Sequence, residues 1–440
     1  LTPNIASIVR GIQSIQKTII VPYTRNKSNI TSIPKSVHYE EFLSDETGLE
    51  IKFEQLPFDQ SVYIMFSSGT TGKQKCMVHG AGGILITHLK ELMLHGDVKR
   101  DDTIFYHTTT SWMMWNWLIS SLALGSTVVL YDGNPFYPNY GALWKMIEDE
   151  NITMFGTSAS YINALRTQKA KPGKDFDLTM LRTIFQTGSP LSPEGFEYIY
   201  QEIKKDVHFA SISGGTDIIG CFASGNPTGP VFAGELQCPV LGMKIKVYDE
   251  EGHSILDKEG ELVCEAPAPN MPLSFWGDPH YEKYKDTYFD VYPGVWRHGD
   301  YTVISSETGG ITFFGRSDAV LKPSGVRIGT SEIYRQIEEI TEIVDSLAIG
   351  QKWEDDQRII LFVKMSEGLH LTEDLKNKIR KTLREKASPR HIPAKIIEVP
   401  DIPYTKNMKK VESAVTNIIH SKPIMNRDAL ANPESLQYYQ

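Results

Sequence analysis

Four cysteines, Cys76, Cys221, Cys238 and Cys264, are all that 440 residues carry, and no two of them stand as C-x-x-C. That scarcity excludes a disulfide framework and the paired-thiol spacing of a zinc site. Reduced thiols in a cytosolic protein are expected. A basic excess is missing too. With 45 Lys and Arg against 54 Asp and Glu, the formal charge is −9, so the footprint of a nucleic-acid binder is absent. No internal repeat, low-complexity tract or signal-peptide pattern stands out. The chain opens on Leu1, not methionine, which makes a fragment of a longer chain the expectation. One stretch, 103–131, has no Asp, Glu, Lys or Arg and is long enough for a bilayer span. Polar residues at 108–111, Asn116 and Gly125 interrupt it. A buried helix over 113–124 and a strand over 127–131 are predicted instead.

What the sequence does have is a polar loop between apolar runs. Tyr63, Ile64, Met65 and Phe66 read as a short buried strand. Ser67, Ser68, Gly69, Thr70, Thr71, Gly72 and Lys73 follow, and Cys76, Met77 and Val78 resume an apolar run. Glycines that let backbone N–H groups approach an anion, hydroxyl donors and a lysine suit a polyphosphate. An ordinary Ser/Gly hairpin turn is the alternative reading. A Walker loop is excluded, because it needs four residues between its glycines, Ser or Thr after the lysine, and a helix next. Here two residues separate Gly69 from Gly72, Gln74 follows Lys73, and a strand is predicted to follow.

At 440 residues the chain exceeds one ordinary core, so two or three domains are expected. Helical spacing runs over 5–17, with a strand at 18–22, a polar linker at 26–34 and an acidic amphipathic segment at 39–49. Beyond the loop come helices at 83–94, 145–151 and 193–203, and strands at 103–106, 152–156, 181–187 and 208–212. This alternation predicts an α/β fold with a largely parallel sheet. Strands at 242–249, 260–265 and 295–303, joined by Gly, Asp and Glu turns, predict a β-rich subdomain over 233–317. From Asp318 a compact α+β unit is predicted: strand 320–321, helix 331–340, strands 345–350 and 358–364, helix 372–386 and strand 395–399.

Several clusters carry possible chemistry. Gly188-Ser189-Pro190-Leu191 ends a predicted strand, where ligands bind in a parallel sheet; a plain strand-to-helix turn would look the same. Ser211-Ile212-Ser213-Gly214-Gly215-Thr216-Asp217 repeats the pattern one strand later. Its hydroxyl and carboxylate can hold a phosphate and a magnesium ion. Trp296-Arg297-His298-Gly299-Asp300 sets a carboxylate after an apolar strand, as a ribose site requires, although Asp before Tyr is also common in turns. Gly315-Arg316-Ser317-Asp318 and Lys322-Pro323-Ser324-Gly325-Val326-Arg327 form a charged junction at the predicted boundary. The basic turn 402–410 would equally suit solvated surface.

Taken in this order, the polar loop, GSPL, SGGTD, WRHGD, GRSD, PSGVR and the late lysine resemble the adenylate-forming enzymes. That family comprises acyl-CoA synthetases, luciferases and peptide-synthetase adenylation domains. The wording of YIMFSSGTTGKQKCMVHGAGG, SWMMWNW, SISGGTDII, GVRIGTSEIY, SPRHIPAK and IPYTKNMKKVE is similar to the acetoacetate–CoA ligases within it. The resemblance covers nearly the whole chain. It implies an α/β fold in which 1–317 is the remainder of a large AMP-binding domain, because full-length members carry a large portion before the match to Leu1. Residues 318–440 match a mobile C-terminal α+β domain. The implied activity is conversion of acetoacetate to acetoacetyl-CoA through an acyl-adenylate, for ketone-body use in lipid synthesis. ATP with Mg2+ and CoA are the implied cofactor and co-substrate, with no nucleic acid and no stable membrane insertion. Another short-chain acyl-CoA synthetase and a non-catalytic nucleotide-binding remnant are the alternatives.

The resemblance also implies roles. Ser67, Ser68, Gly69, Thr70, Thr71, Gly72 and Lys73 match the loop around the β- and γ-phosphates. Gly188, Ser189 and Pro190 match one border of the adenine, and Ser211, Ser213, Gly214, Gly215 and Thr216 the other. Thr216 matches a phosphate contact and Asp217 the magnesium ligand, where most relatives carry glutamate. Asp300 matches the ribose acceptor, assisted by Arg316. Asp318 matches the hinge, followed by Ala319 where many relatives carry a second acid. Arg327 matches a nucleotide contact, Ser324 and Gly325 the pantetheine path, and Arg384 the nucleotide end of CoA. Lys409 matches the adenylation lysine, with Met408 in place of the family's glycine. Gly214 stands where acetyl-CoA synthetases carry a pocket-capping tryptophan. Its missing side chain is expected to open room for a longer acyl group, lined by Trp112, Met113 and Met114.

Overall fold

Five parallel strands, in the order Thr127–Val129, Thr103–Tyr106, Met154–Ser158, Thr183–Thr187 and His208–Ser211, carry the larger core. Alternate residues of a strand face opposite ways. Ile104, Tyr106, Met154, Phe185 and Ala210 therefore join one apolar cluster, while Phe105, Phe155, Ile184 and Phe209 join another. Both faces are covered, as a parallel sheet requires. The computed structural model describes residues 2–23, 29–67, 75–323, 328–354, 356–406, 409–424 and 427–440. Two compact units are distinguished, Leu1–Leu56 and Pro57–Gln440.

In the first unit, helix Thr2–Gly11 buries Ala6 and Val9, and Thr18–Ile20 pairs in parallel with Ser36–His38. The helix expected over 5–17 thus starts earlier and ends at Gly11, a poor residue for a helix interior. The acidic segment 39–49 forms only the turn Tyr39–Phe42; Leu43 is already extended and Gly48 takes a positive φ.

In the second unit the polar loop joins Ser61–Ser67 to Lys75–Gly80, an antiparallel pair extended by Ser274–Phe275. A strand does follow the loop, against a Walker arrangement. The uncharged stretch 103–131 divides into a strand, helix Met113–Ile119, the tighter turn Ser120–Leu124 stopped by Gly125 at φ 83°, and strand Thr127–Val129. Met113, Met114 and Trp117 bury its apolar side in the core. Among the described residues no helix is long and apolar enough to cross a membrane.

The β-rich segment forms a five-stranded antiparallel sheet, ordered Ser254–Ile255, Ile245–Tyr248, Gly260–Cys264, Trp296–Ile304 and Ile311–Arg316. Further along, Ile343–Trp353, Asp356–Met365 and Lys395–Glu398 make a three-stranded sheet. Period two sorts its residues: Ala348, Ile359, Leu361 and Val363 pack with helices Thr330–Ile337 and Glu373–Lys386. Leu347, Ile349, Ile360 and Phe362 pack with Val415 and Tyr439 on the other face. Thr372 caps the longer helix by accepting from the Leu375 N–H. All four cysteines are free thiols.

Candidate active site

Two adjacent parallel strands end side by side and deliver two loops to one cleft. Gly188, at φ +100°, follows Thr183–Thr187, and Ser213–Gly215 follows His208–Ser211. Gln186 ties the loops together. Its Oε1 accepts from Ser211 Oγ at 2.9 Å, and its Nε2 donates to the Ser189 carbonyl at 2.9 Å and the Thr187 carbonyl at 3.1 Å. Thr187 Oγ1 closes the set on the Ile212 carbonyl at 2.7 Å. The cleft, about 2600 Å³, is lined by Gly188, Ser189 and Pro190, by 211–217, and by Trp112, Met113 and Met114. Its other wall brings in Asp300, Arg316 and Lys409.

Charge is concentrated there. Asp300 and Arg316 are direct partners across two antiparallel strands. Arg316 Nη1 donates to Asp300 Oδ1 at 3.2 Å and to the His298 carbonyl at 3.2 Å. His298 Nε2 lies beside the other carboxylate oxygen, 3.6 Å from Asp300 Oδ2 and beyond hydrogen-bond reach. The His298 ring packs 4.4 Å from that of Phe222. It also occupies the space beside Gly215, where a Cβ would stand 3.0 Å from its Cε1. Burial holds the His298 pKa below its ordinary value, so the ring is neutral near pH 7. Asp300 and Asp217 oppose that shift, while Arg316 and Lys409 add to it.

Asp217 Oδ1 accepts from the Tyr288 hydroxyl at 2.6 Å. Burial would raise its pKa, but His298, the Tyr288 bond, Lys75 and Arg316 outweigh burial and hold the carboxyl below its usual range. Asp217 is therefore an anion in the lining of the cleft. Among the described residues no three His, Cys, Asp or Glu side chains form a metal site. A magnesium ion accompanying a nucleotide needs no such cage: it keeps waters and takes one or two carboxylates plus substrate phosphates. The single anionic Asp217 fits that donor set. Lys409 reaches the same space and is exposed to it. Surrounding protein lowers its ammonium pKa, with Arg316 adding and Asp300 and Asp217 opposing.

Of the residues singled out in the sequence, the fold thus gathers Gly188, Ser189, Pro190, Ser211, Ser213, Gly214, Gly215, Thr216, Asp217, Asp300, Arg316 and Lys409 around one cleft. Ser68, Gly69, Thr70, Thr71, Gly72, Lys73, Ser324, Gly325, Arg327 and Met408 lie outside the described residues, as do the side chains of Ser67 and Asp318. The Asp318 backbone falls in the short turn Ser317–Ala319. Arg384 is exposed on helix Glu373–Lys386 and is not among the residues lining the cleft. The expectation for Gly214 is corrected. A Cβ there would stand 1.8 Å from the Gly220 carbonyl oxygen and 2.8 Å from Cys221 Cα. Glycine is required by the approach of strand Gly220–Ser224, and the absent side chain opens no acyl space.

Three participants escaped the sequence reading. His298 stands beside Asp300, and Tyr288 holds Asp217. Glu91, 1% exposed, underpins the hairpin behind them. Its oxygens accept from the Cys221 N–H at 2.9 Å and Trp117 Nε1 at 3.0 Å. Only His298 left a signal, as the residue across Gly299 from Asp300.

Comparison with known proteins agrees with this geometry. Residues 8–271 match the family model described as AMP-binding enzyme. The chain is 49% identical over 423 residues to the acetoacetyl-coenzyme A synthetase of Rhizobium meliloti (strain 1021), covering 96% of this chain and 65% of that protein. It is 47% identical over 443 residues to the Gallus gallus acetoacetyl-CoA synthetase, covering 99% and 66%. The chain therefore spans just under two thirds of the length of these relatives. Among solved structures, the acetoacetyl-CoA synthetase from Streptomyces lividans superposes with a TM-score of 0.92 at 40% identity, over 99% of this chain and 67% of that one. The anthranilate CoA ligase AuaEII in complex with anthranoyl-AMP shares the fold, with a TM-score of 0.77 at 19% identity over 95% and 76%. On sequence and architecture alike, the chain belongs to the AMP-binding enzyme family.

Proposed function

We propose that the chain carries out the ATP-dependent activation of acetoacetate to acetoacetyl-CoA through acetoacetyl-adenylate, with release of AMP and pyrophosphate. The observation that carries this reading is the convergence of Asp217, Asp300, Arg316 and Lys409 on one cleft beneath two parallel strand ends. The similarity to acetoacetyl-CoA synthetases supports the choice of acyl group. Residues 1–317 and a mobile 318–440, turning about Asp318, are the proposed working parts, and the cytosol is the proposed location.

The chemistry follows from charge. Carboxylate and triphosphate repel, so the cleft must neutralise one and hold both in line. Asp300, braced by Arg316, accepts from the ribose hydroxyls and fixes the nucleotide. Asp217 holds the magnesium ion, which supplies charge neutralisation at the phosphates when bound. A carboxylate oxygen of acetoacetate attacks the α-phosphorus, and the bond to the bridging oxygen of pyrophosphate breaks. Lys409, as an ammonium, stabilises the charge spread over the α-phosphate oxygens. The CoA thiolate then attacks the acyl carbon and AMP departs with the electron pair of the broken C–O bond. The polar loop 67–73 would cradle the outer phosphates.

The test is acetoacetate-dependent ATP–pyrophosphate exchange. It should be present in the full-length protein and lost in Lys409→Ala, while thioester formation from preformed acetoacetyl-adenylate persists. Removing a charged transition-state donor costs about 3 kcal/mol or more. Exchange that survives in Lys409→Ala, or that runs equally well without acetoacetate, refutes the assignment.

A further inference from the structure

The turn that bears Lys409 stands on two feet, and one carboxylate holds both. Tyr404 and Lys410 pair as an antiparallel bridge across the turn. The Tyr404 hydroxyl donates to Asp345 Oδ2 at 2.6 Å, and Lys410 Nζ lies 2.8 Å from Asp345 Oδ1. Lys410 Nζ also donates to the Ser346 carbonyl at 2.7 Å and sits 4.1 Å from the centroid of the Tyr334 ring. The Tyr334 hydroxyl in turn donates to Glu412 Oε1 at 2.8 Å. Inside the turn the Thr405 N–H donates to the Lys409 carbonyl at 2.8 Å, and the Lys409 N–H donates to Thr405 Oγ1 at 3.1 Å.

The anchor itself is rigid. Asp345 belongs to strand Ile343–Trp353, whose Leu347, Ala348 and Ile349 are buried on both faces of the small sheet. Lys410 and Asp345 line the same cleft as Lys409, so the pair fixes the base of the turn next to the position of Lys409. Asp345 and Lys410 are each about four-fifths buried, at 18% and 20% side-chain exposure. A pair this desolvated is costly to break from one side only. Losing the Asp345 charge weakens both feet at once, because asparagine keeps one acceptor oxygen for two donors and Lys410 keeps only the Ser346 carbonyl.

We propose that Asp345 is a positioning residue for Lys409, acting through the two ends of the turn and needed for acyl-adenylate formation but not for thioester formation. This rests on the adenylating role of Lys409 proposed above. A misplacement of about 1 Å at a reacting group costs on the order of a hundredfold in rate, so a turn loosened at both feet should lose much of its contribution.

The experiment compares Asp345→Asn, Tyr404→Phe and Lys409→Ala in the full-length protein. Two rates are measured: acetoacetate-dependent ATP–pyrophosphate exchange, and acetoacetyl-CoA formation from preformed acetoacetyl-adenylate. Amide hydrogen exchange at Thr405 and Lys409 is followed in parallel and needs no turnover. Asp345→Asn should lower pyrophosphate exchange roughly tenfold to a hundredfold, keep thioester formation, and speed amide exchange at both positions. Tyr404→Phe frees one foot only and should fall between it and the parent. Unchanged pyrophosphate exchange, unchanged amide protection, or an equal fall in both rates overturns the proposal. Should Asp345→Asn fail to fold, Tyr404→Phe decides by the same criteria. If Lys409→Ala keeps pyrophosphate exchange, the role given to Lys409 fails. If Lys409→Ala is silent while Asp345→Asn is not, the clamp alone fails.

Discussion

Alanine at Gly214 is the smallest change that separates a structural glycine from an open acyl pocket. The added methyl would sit 1.8 Å from the Gly220 carbonyl oxygen and 2.8 Å from Cys221 Cα, both backbone atoms of the facing strand. To admit it, the strands must part by more than an ångström. That strand is pinned from behind. The Cys221 N–H donates to Glu91 at 2.9 Å, the Ile219 carbonyl accepts from His88 Nε2 at 2.6 Å, and the Ile218 carbonyl accepts from Asn270 at 2.9 Å. Overpacking costs about 1–3 kcal/mol, and a buried polar group that loses its partner costs about 1–3 kcal/mol more. Gly214→Ala should therefore lower stability by roughly 2–6 kcal/mol. The assay is urea unfolding followed by tryptophan fluorescence, read as a lower midpoint at unchanged slope. Gly214→Trp should fail to fold. A Gly214→Ala protein with an unshifted midpoint and an altered acetoacetate-to-acetate ratio would refute the reasoning and restore the pocket.

His298→Phe keeps an aromatic ring against Phe222 but removes the nitrogen 3.6 Å from Asp300 Oδ2. Its preference for ATP over 2′-deoxy-ATP should shrink toward that of Asp300→Ala, and an undiminished preference counts against a role for His298 beside Asp300. Stability should also fall with acid, because burial lowers the pKa of His79 and His88 to about 4. The unfolded chain, with histidines near pKa 6.5, binds protons first as pH drops. Stability then falls from about pH 6.5 to about pH 4 by up to ~1.4 kcal/mol per pH unit per histidine, and these groups contribute no further change below that. Urea midpoints at pH 7, 6 and 5 check the slope, which His88→Gln should flatten.

How much of this the sequence disclosed depended on the range of the interactions involved. Strand Thr103–Tyr106 and the split of 103–131 were legible, because apolar periodicity and Gly125 are local signals. The parallel sheet followed from alternating strands and helices. Helix Ala159–Thr167 and strand Gly220–Ser224 were not read, since their patterns are short and mixed, and burial against neighbours decides them. The five-stranded antiparallel order was also out of reach. Its register rests on contacts between segments dozens of residues apart.

The site shows the same limit more sharply. Asp217, Asp300 and Lys409 could be named because each sits in a recognisable word, yet what makes them usable comes from elsewhere in the chain. Asp217 is held by Tyr288, Asp300 by Arg316 with His298 beside it, and Lys409 through Asp345. Only one of these supports left even a local mark in the sequence. His298 stands beside Asp300, but Gly299 between them takes φ +86° and the strand shifts register there against Gly260–Cys264, so plain alternation does not place it. Trp296, two residues earlier, stacks on Tyr288 in the core and is not among the residues lining the cleft. The nearness of His298 to Asp300 is thus set by this irregularity, which the sequence marks only by Gly299. Tyr288 and Asp345 have no such local cue, and only the folded chain brings them to the groups they hold.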